Sequence, residues 1–203
     1  EFVSWEDSYL VVEGGKVAGI YRELGEEHRA YPIKDYRGKL IVPGFVDLHL
    51  HAPQFPNQGL GMDRELLPWL ETYTFPEESK YKDLAYADQV YSKFVKALWS
   101  VGTTRSVIFS SIHKEATKLL MDKMIEAGLG AYVGKVNMDR NSPEELTEAT
   151  DVSILETEEL ILEYKDKSDL VKPIITPRFV PSCSKELMEG LGKLAVNYGL
   201  PVQ

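Results

Sequence analysis

The sequence predicts an α/β protein with parallel strands: the first four to five βα units of a (β/α)8 TIM-type barrel, preceded by a small all-β module. Three observations predict it. From Pro43 onward, strand-like runs alternate with amphipathic helical runs, the rhythm of βα units around a parallel sheet. Before Pro43 the chain reads as short strands separated by turns, a small all-β module or equally the N-terminal hairpin of a larger domain. The 203 residues hold four complete βα units and the start of a fifth, whereas a closed barrel takes eight strands and about 250 residues.

The elements follow in order. Ser8–Glu13 carries branched and aromatic residues, Gly14-Gly15 is a hairpin turn because glycine tolerates positive φ, and Lys16–Tyr21 resumes the strand. Arg37-Gly38-Lys39 marks a further turn before a strand-like Leu40-Ile41-Val42. Phe45–Leu50 is an apolar run with the look of a buried strand. Tyr81–Val101 is expected to be a helix with Leu84, Ala87, Tyr91, Phe94, Val95 and Leu98 on one face, closed by Gly102. Thr103–Phe109 is a strand, and Glu115–Ala127 a helix with Leu119, Leu120 and Met124 inward and Gly128 at its end. Ala131–Met138 is a strand, Val152–Tyr164 a helix and Val171–Phe179 another apolar strand. Ser184 is the expected N-cap of a last helix that turns Leu187, Leu191, Leu194 and Ala195 inward and ends at Gly199. Leu200–Gln203 begins a further strand.

Half a barrel would leave apolar strand edges and faces in water, so more chain is expected to follow Gln203. Glu1 and Phe2 run straight into strand-like sequence, so a start before Glu1 is expected too. A complete five-stranded doubly wound fold is the alternative. Hydrophobic residues make up 43% and charged residues 27%, ordinary for a soluble globular protein. No apolar run approaches the roughly 18 residues of a membrane span. A net charge of −9 repels phosphate backbones and argues against nucleic-acid binding. The lone Cys183 cannot form an internal disulfide, in keeping with the cytoplasm.

The sharpest chemical signal is His49-Leu50-His51. Alternate side chains of a strand share a face, so both imidazoles can reach one metal ion, at the strand end where barrel active sites are built. Val46, Leu48 and Leu50 would pack on the other face, and Asp47 reads as a strand-end hydrogen-bond anchor. Trp69, Tyr73 and Phe75 form an aromatic-rich loop that either caps a pocket or packs in the core. His113 reads as an ordinary satisfied histidine. The chain has one cysteine, which excludes the H-x-E and P-C-x-x-C zinc site of cytidine deaminases.

The run Pro43-Gly44-Phe45-Val46-Asp47-Leu48-His49-Leu50-His51 resembles the signature of the amidohydrolase superfamily. Its continuation Ala52-Pro53-Gln54-Phe55 resembles the HxHAxQ(Y/F) pattern of the guanine deaminase family. Three more stretches are similar to that family: Leu66–Glu77 to its LLxWLxxYTFPxE segment, Val133–Asp139 to VGKVxMD, and Val171–Phe179 to VKPIxTPRF, with Ser182-Cys183-Ser184 after it. The resemblance implies two domains: residues 1–42 as the N-terminal part of a β-sandwich module, and residues 43–203 as the first half of a metal-dependent amidohydrolase barrel. It implies that His49 and His51 ligate zinc, with iron possible in its place, that Gln54 meets the ring edge of guanine, and that Arg178 and Phe179 line the base pocket. Without the resemblance Arg178 reads as a surface ion pair and Phe179 as core. The fourth strand has Lys172 at its start and no lysine at its end, which argues for one metal ion rather than two.

The activity implied is hydrolytic deamination of guanine to xanthine and ammonia, a step of purine catabolism, by a cytoplasmic homodimer without nucleic-acid or membrane partners. Metal-bound water, its pKa brought toward about 7, would attack C2. The family's third histidine, its proton-shuttling glutamate, a further histidine and a late metal-binding aspartate are expected beyond Gln203, so residues 1–203 alone are expected to be inactive. The alternatives are an amidohydrolase acting on another base or cyclic amide, and an inactive amidohydrolase-like scaffold.

Overall fold

The computed structural model describes residues 3–203, so the expected strand-like start at Glu1 and Phe2 lies outside it. The chain divides into two compact units, Glu1–Val42 and Pro43–Gln203.

In the first unit, β1 (Tyr9–Glu13) and β2 (Lys16–Tyr21) pair antiparallel with a bulge at Val11/Val12. The turn works because Gly14 and Gly15 take φ of 54° and 77°, left-handed at both central positions as a type I′ turn requires. A single 3-10 turn, Glu26–His28, follows, and His28 is buried between the rings of Tyr21 and Tyr31. The third strand expected at Leu40–Val42 does not form. These residues have no ladder partner among the described residues and stay exposed, so local β preference acts alone there.

The second unit is a parallel α/β layer. Its strands are β3 (Phe45–His51), β4 (Thr103–Phe109), β5 (Gly130–Gly134), β6 (Val136–Asn137), β7 (Val171–Pro173) and β8 (Thr176–Pro177). They pair in the order β3-β4-β5-β7, with β6-β8 carrying the last ladder on, and Ile175 bridging in parallel to Val202. The strands run across the sheet in chain order, with no reversal. A doubly wound sheet reverses at a switch point, so this order excludes that alternative and is consistent with part of a (β/α)8 barrel.

The helices are α1 (Leu66–Trp69), α2 (Phe75–Glu78), α3 (Leu84–Ser100), α4 (Lys114–Glu126), α5 (Thr150–Tyr164) and α6 (Lys185–Tyr198). The Asp83 carboxylate caps α3 by accepting from the N–H groups of Ala85 and Tyr86, which starts the helix three residues after the expected Tyr81. Its buried stripe is Ala87, Val90, Tyr91, Phe94, Val95 and Leu98, while Leu84, expected inward, is exposed in the first turn. This stripe packs with Leu120, Met121 and Met124 of α4, Tyr164 of α5, and Ile108, Val133 and Val171 of the sheet. Each such fully buried side chain contributes roughly 1.5–3 kcal/mol. Ser184 caps α6 through its hydroxyl, and Gly199 ends it at φ 62°.

Three further expectations are corrected. Phe45–Leu50 is a strand but not a buried one: Phe45, Val46 and Leu48 are exposed, and among the described residues β3 has a ladder partner, β4, on one side only. Only Leu50 of its apolar face packs on the core. The single strands expected at Ala131–Met138 and Val171–Phe179 are each broken in two. A Cβ on Gly134 would lie 1.8 Å from Thr176 Oγ1 and 2.6 Å from the Ile174 carbonyl, so the two chains approach closely where both ladders break. The Trp69–Phe75 segment is not a loop: α1, a π-helical turn over Leu70–Thr74 and α2 run on as one helical stretch.

Candidate active site

The site is assembled at the C-terminal ends of the strands, from β3, the segment after it, the α1–α2 stretch and the residues after β8. Alternation along β3 puts His49 and His51 on the face opposite Leu50. Asp47 accepts a hydrogen bond from the His49 N–H at 3.1 Å, which is the anchoring role its position implies. The two Nε2 atoms face each other 3.3 Å apart. Two nitrogens bound at about 2.0–2.1 Å to one tetrahedral ion lie roughly 3.3 Å from each other, so the pair has the spacing of two ligands of one ion. Phe109, opposite His51 in the β3–β4 register, stacks on the His51 ring at 4.4 Å and 16° and meets the His49 ring edge-on. Phe109 belongs to a second apolar cluster with Leu70, Phe75, Ile112, Val136, Met138 and Leu146. This cluster backs the imidazoles and fixes their plane.

Burial, helped by the positive charge of Arg178 and by His49, pushes the His51 imidazole down to about 3. The ring is therefore neutral at physiological pH, the state in which a metal ligand has its lone pair free. Its Nδ1 is buried and has no partner among the described residues. These residues contain no group of three or more His, Cys, Asp or Glu able to hold a metal, and the two histidines stand as a pair.

Gln54 sits in a 3-10 segment, Ala52–Asn57, started by Pro53 and tied down by Tyr81, whose hydroxyl donates to the Pro53 carbonyl at 3.0 Å. Arg178 follows β8, its N–H donating to the Asn137 carbonyl. Neither lies free. Both bond to Glu78, the last residue of α2: the Gln54 amide nitrogen donates to Glu78 Oε1 at 3.0 Å, and Arg178 Nη1 pairs with Glu78 Oε2. The Arg178 and Glu78 side chains are 5% and 3% exposed, so this is a buried ion pair rather than a surface one. The guanidinium also lies over the Phe75 ring at 5.4 Å. The structure thus brings Gln54 and Arg178 together, far apart as they are in sequence, and couples Arg178 electrostatically to His51. Phe179 is extended and 36% exposed, outside the core.

Glu78, Phe75 and Phe109 carry this arrangement and were not singled out together from sequence. The available signal was a doubled glutamate, Glu77-Glu78, inside an aromatic run, where both side chains are buried. His113 stands apart: it starts α4, and its Nε2 is buried without a partner among the described residues, so it is less than fully satisfied. It lines a cavity of about 510 Å³ with Tyr81, Lys82, Glu148 and Glu156, and none of His49, His51, Gln54, Arg178 or Phe179 borders that cavity.

Residues 40–203 match the amidohydrolase family. A crystal structure of guanine deaminase from C. acetobutylicum with bound guanine in the active site superposes with a TM-score of 0.94 at 55% identity, over 97% of this chain and 47% of that one. Guanine deaminase of Dictyostelium discoideum is 48% identical over 79% of this chain and 36% of its own length. A probable guanine deaminase of Schizosaccharomyces pombe is 42% identical over 87% of this chain and 33% of its own. The chain spans less than half the length of each of these relatives.

Proposed function

The chain belongs to the amidohydrolase family, and from that premise we propose that the whole protein is a guanine deaminase, converting guanine and water to xanthine and ammonia in purine catabolism. The observation that carries the reading is the convergence of a histidine pair with metal-ligand spacing and a buried Gln54–Glu78–Arg178 cluster at one end of a parallel sheet. Its likeness to guanine deaminases, one of them with guanine bound in its active site, supports the choice of substrate. His49 and His51 would hold zinc, whose chemistry when bound is to make a water nucleophilic at neutral pH.

The chain's own residues supply the binding half of the chemistry. Guanine is flat and presents a carbonyl, ring nitrogens and N–H groups. The Arg178 guanidinium donates to its acceptors, and Gln54 meets its polar edge. Phe179 walls the ring, and Phe75 holds the guanidinium from the far side. A neutral His51 carries a lone pair on one ring nitrogen, the form in which an imidazole binds a metal ion. We assign the hairpin unit to a β-sandwich module, the second unit to the first half of a (β/α)8 barrel, and the protein to the cytoplasm as a homodimer. The buried free Cys183 suits a reducing compartment, and among the described residues no helix is long and apolar enough to cross a membrane.

The test is turnover of guanine by the full-length protein, followed as xanthine absorbance and released ammonia. Arg178→Ala is expected to cut kcat/KM by about a hundredfold or more, since it removes charged hydrogen bonds to substrate and strands Glu78. A near-unchanged kcat/KM would move the assignment to another base or cyclic amide.

A further inference from the structure

We propose that Glu78 is the positioning residue of the base pocket: its buried carboxylate selects which end of the Gln54 amide faces substrate and holds the Arg178 fork beside it. The inference rests on the guanine deaminase reading and extends it to a residue that need not touch the base.

A glutamine amide can turn either end outward, and its two ends have opposite hydrogen-bonding character. A carboxylate only accepts. Glu78 Oε1, 3.0 Å from Gln54 Nε2, therefore admits the NH2 end alone, and Gln54 Oε1 is left as an outward acceptor to which no described residue donates. The other oxygen, Oε2, takes Arg178 Nη1. One carboxylate thus fixes an acceptor and a cluster of donors side by side, which is the complement of a base edge carrying both an N–H and a carbonyl or ring nitrogen. The orientation is stiff. Glu78 is buried, so water does not compete for its oxygens, and the Phe75 ring lies 5.4 Å from the guanidinium and steadies it. The Arg178 side chain, 5% exposed, has in Glu78 its one hydrogen-bonded counter-charge among the described residues. Buried ion pairs are weak stabilisers, so a role in orientation accounts better for this pair than a role in folding. The π-helical turn over Leu70–Thr74, which leads directly into α2, sets where Glu78 falls.

The experiment uses the full-length, metal-loaded protein and three variants, Glu78→Gln, Glu78→Asp and Gln54→Leu, with metal content and thermal unfolding checked for each. Glu78→Gln is expected to raise KM for guanine by about tenfold or more while kcat moves by less than about threefold. Glu78→Asp keeps the charge but is one methylene too short to reach both partners, and is expected to raise KM by about threefold or more. Should Glu78→Gln fail to fold, Glu78→Asp decides. Combined with Gln54→Leu, either Glu78 change should cost less than it does alone, because the amide it orients is gone. A folded Glu78→Asp protein with wild-type KM, or losses that simply multiply in the double variant, overturns the proposal. Selective 15N labelling of glutamine gives a readout independent of substrate. The Gln54 side-chain amide should exchange slowly in the parent protein and quickly in Glu78→Asp. If the parent protein does not turn over guanine, the functional reading fails while this exchange comparison still decides the role of Glu78: slow exchange lost on substitution supports it, and equal exchange in both proteins overturns it.

Discussion

Replacing Asp139 with alanine should loosen the Arg178–Ser184 stretch, at a cost that can be worked from its bonds. Asp139 follows β6 and joins the starts of two helices. Its Oδ2 accepts from the Thr150 hydroxyl of α5 at 2.7 Å and from the Ser184 hydroxyl, and its Oδ1 accepts from the Ser184 N–H at 2.6 Å. The backbone N–H groups of Asp139 and Arg140 donate in turn to the Ser182 carbonyl, so the stretch from Arg178 to Ser184 is held at both ends. A lost helix cap costs about 0.5–2 kcal/mol, and hydrogen bonds to a charge about 1.5–3 kcal/mol before solvent replaces them. The site is only partly buried, so we expect Asp139→Ala to cost roughly 2–3 kcal/mol in urea unfolding of the full-length protein at pH 7. Burial pushes the Asp139 carboxyl up, but the Ser184 and Thr150 hydroxyls and the Ser184 N–H outweigh it and hold it below the ordinary 3.8. A carboxyl depressed on folding stabilises fully above its unfolded pKa and loses that contribution as pH falls through the folded one. The gap between parent and variant should thus be flat above pH 5 and narrow only below about 3.8. A cost under about 0.5 kcal/mol at pH 7, or a gap that narrows between pH 7 and 5, would refute this reasoning.

Two further outcomes follow from the geometry. Gly134→Ala places a Cβ 1.8 Å from Thr176 Oγ1 and 2.6 Å from backbone at Ile174, so the protein should lose about 3 kcal/mol or more, or fail to accumulate as soluble protein; an alanine variant unfolding at the parent urea midpoint would contradict the close approach of these ladders. Residues 1–203 expressed alone should release zinc to a mild chelator and show no guanine turnover, because the described residues supply two facing imidazoles and no third donor; tight one-to-one zinc binding by this fragment, measured by calorimetry, would count against it.

The helix–strand rhythm was legible because it is local. Thr103–Phe109 needs only its β-rich composition to form a strand, and α6 needs only its serine cap, its stripe and Gly199. The histidine pair was legible for the same reason, since alternation places His49 and His51 on one face whatever surrounds the strand. What escaped depends on partners far along the chain. Phe45–Leu50 has the composition of a buried strand, but its exposure is set by which neighbours flank it. The close approach of Gly134 to Thr176 beside these breaks joins residues far apart in sequence, so no local pattern reports it. Arg178 alone reads as a surface charge. Only the fold shows that Glu78 buries it and shares it with Gln54. The α3 start was recoverable, because Asp83 ahead of an apolar-periodic run is an N-cap signal that the longer apolar pattern from Tyr81 masked.

The most direct test of the account is anomalous diffraction at the zinc edge from crystals of the active full-length protein. It should place one peak about 2.0–2.1 Å from both His49 Nε2 and His51 Nε2, on the side of the sheet where Arg178 meets Glu78. A peak elsewhere in the molecule, or none in crystals that still turn over guanine, would contradict it.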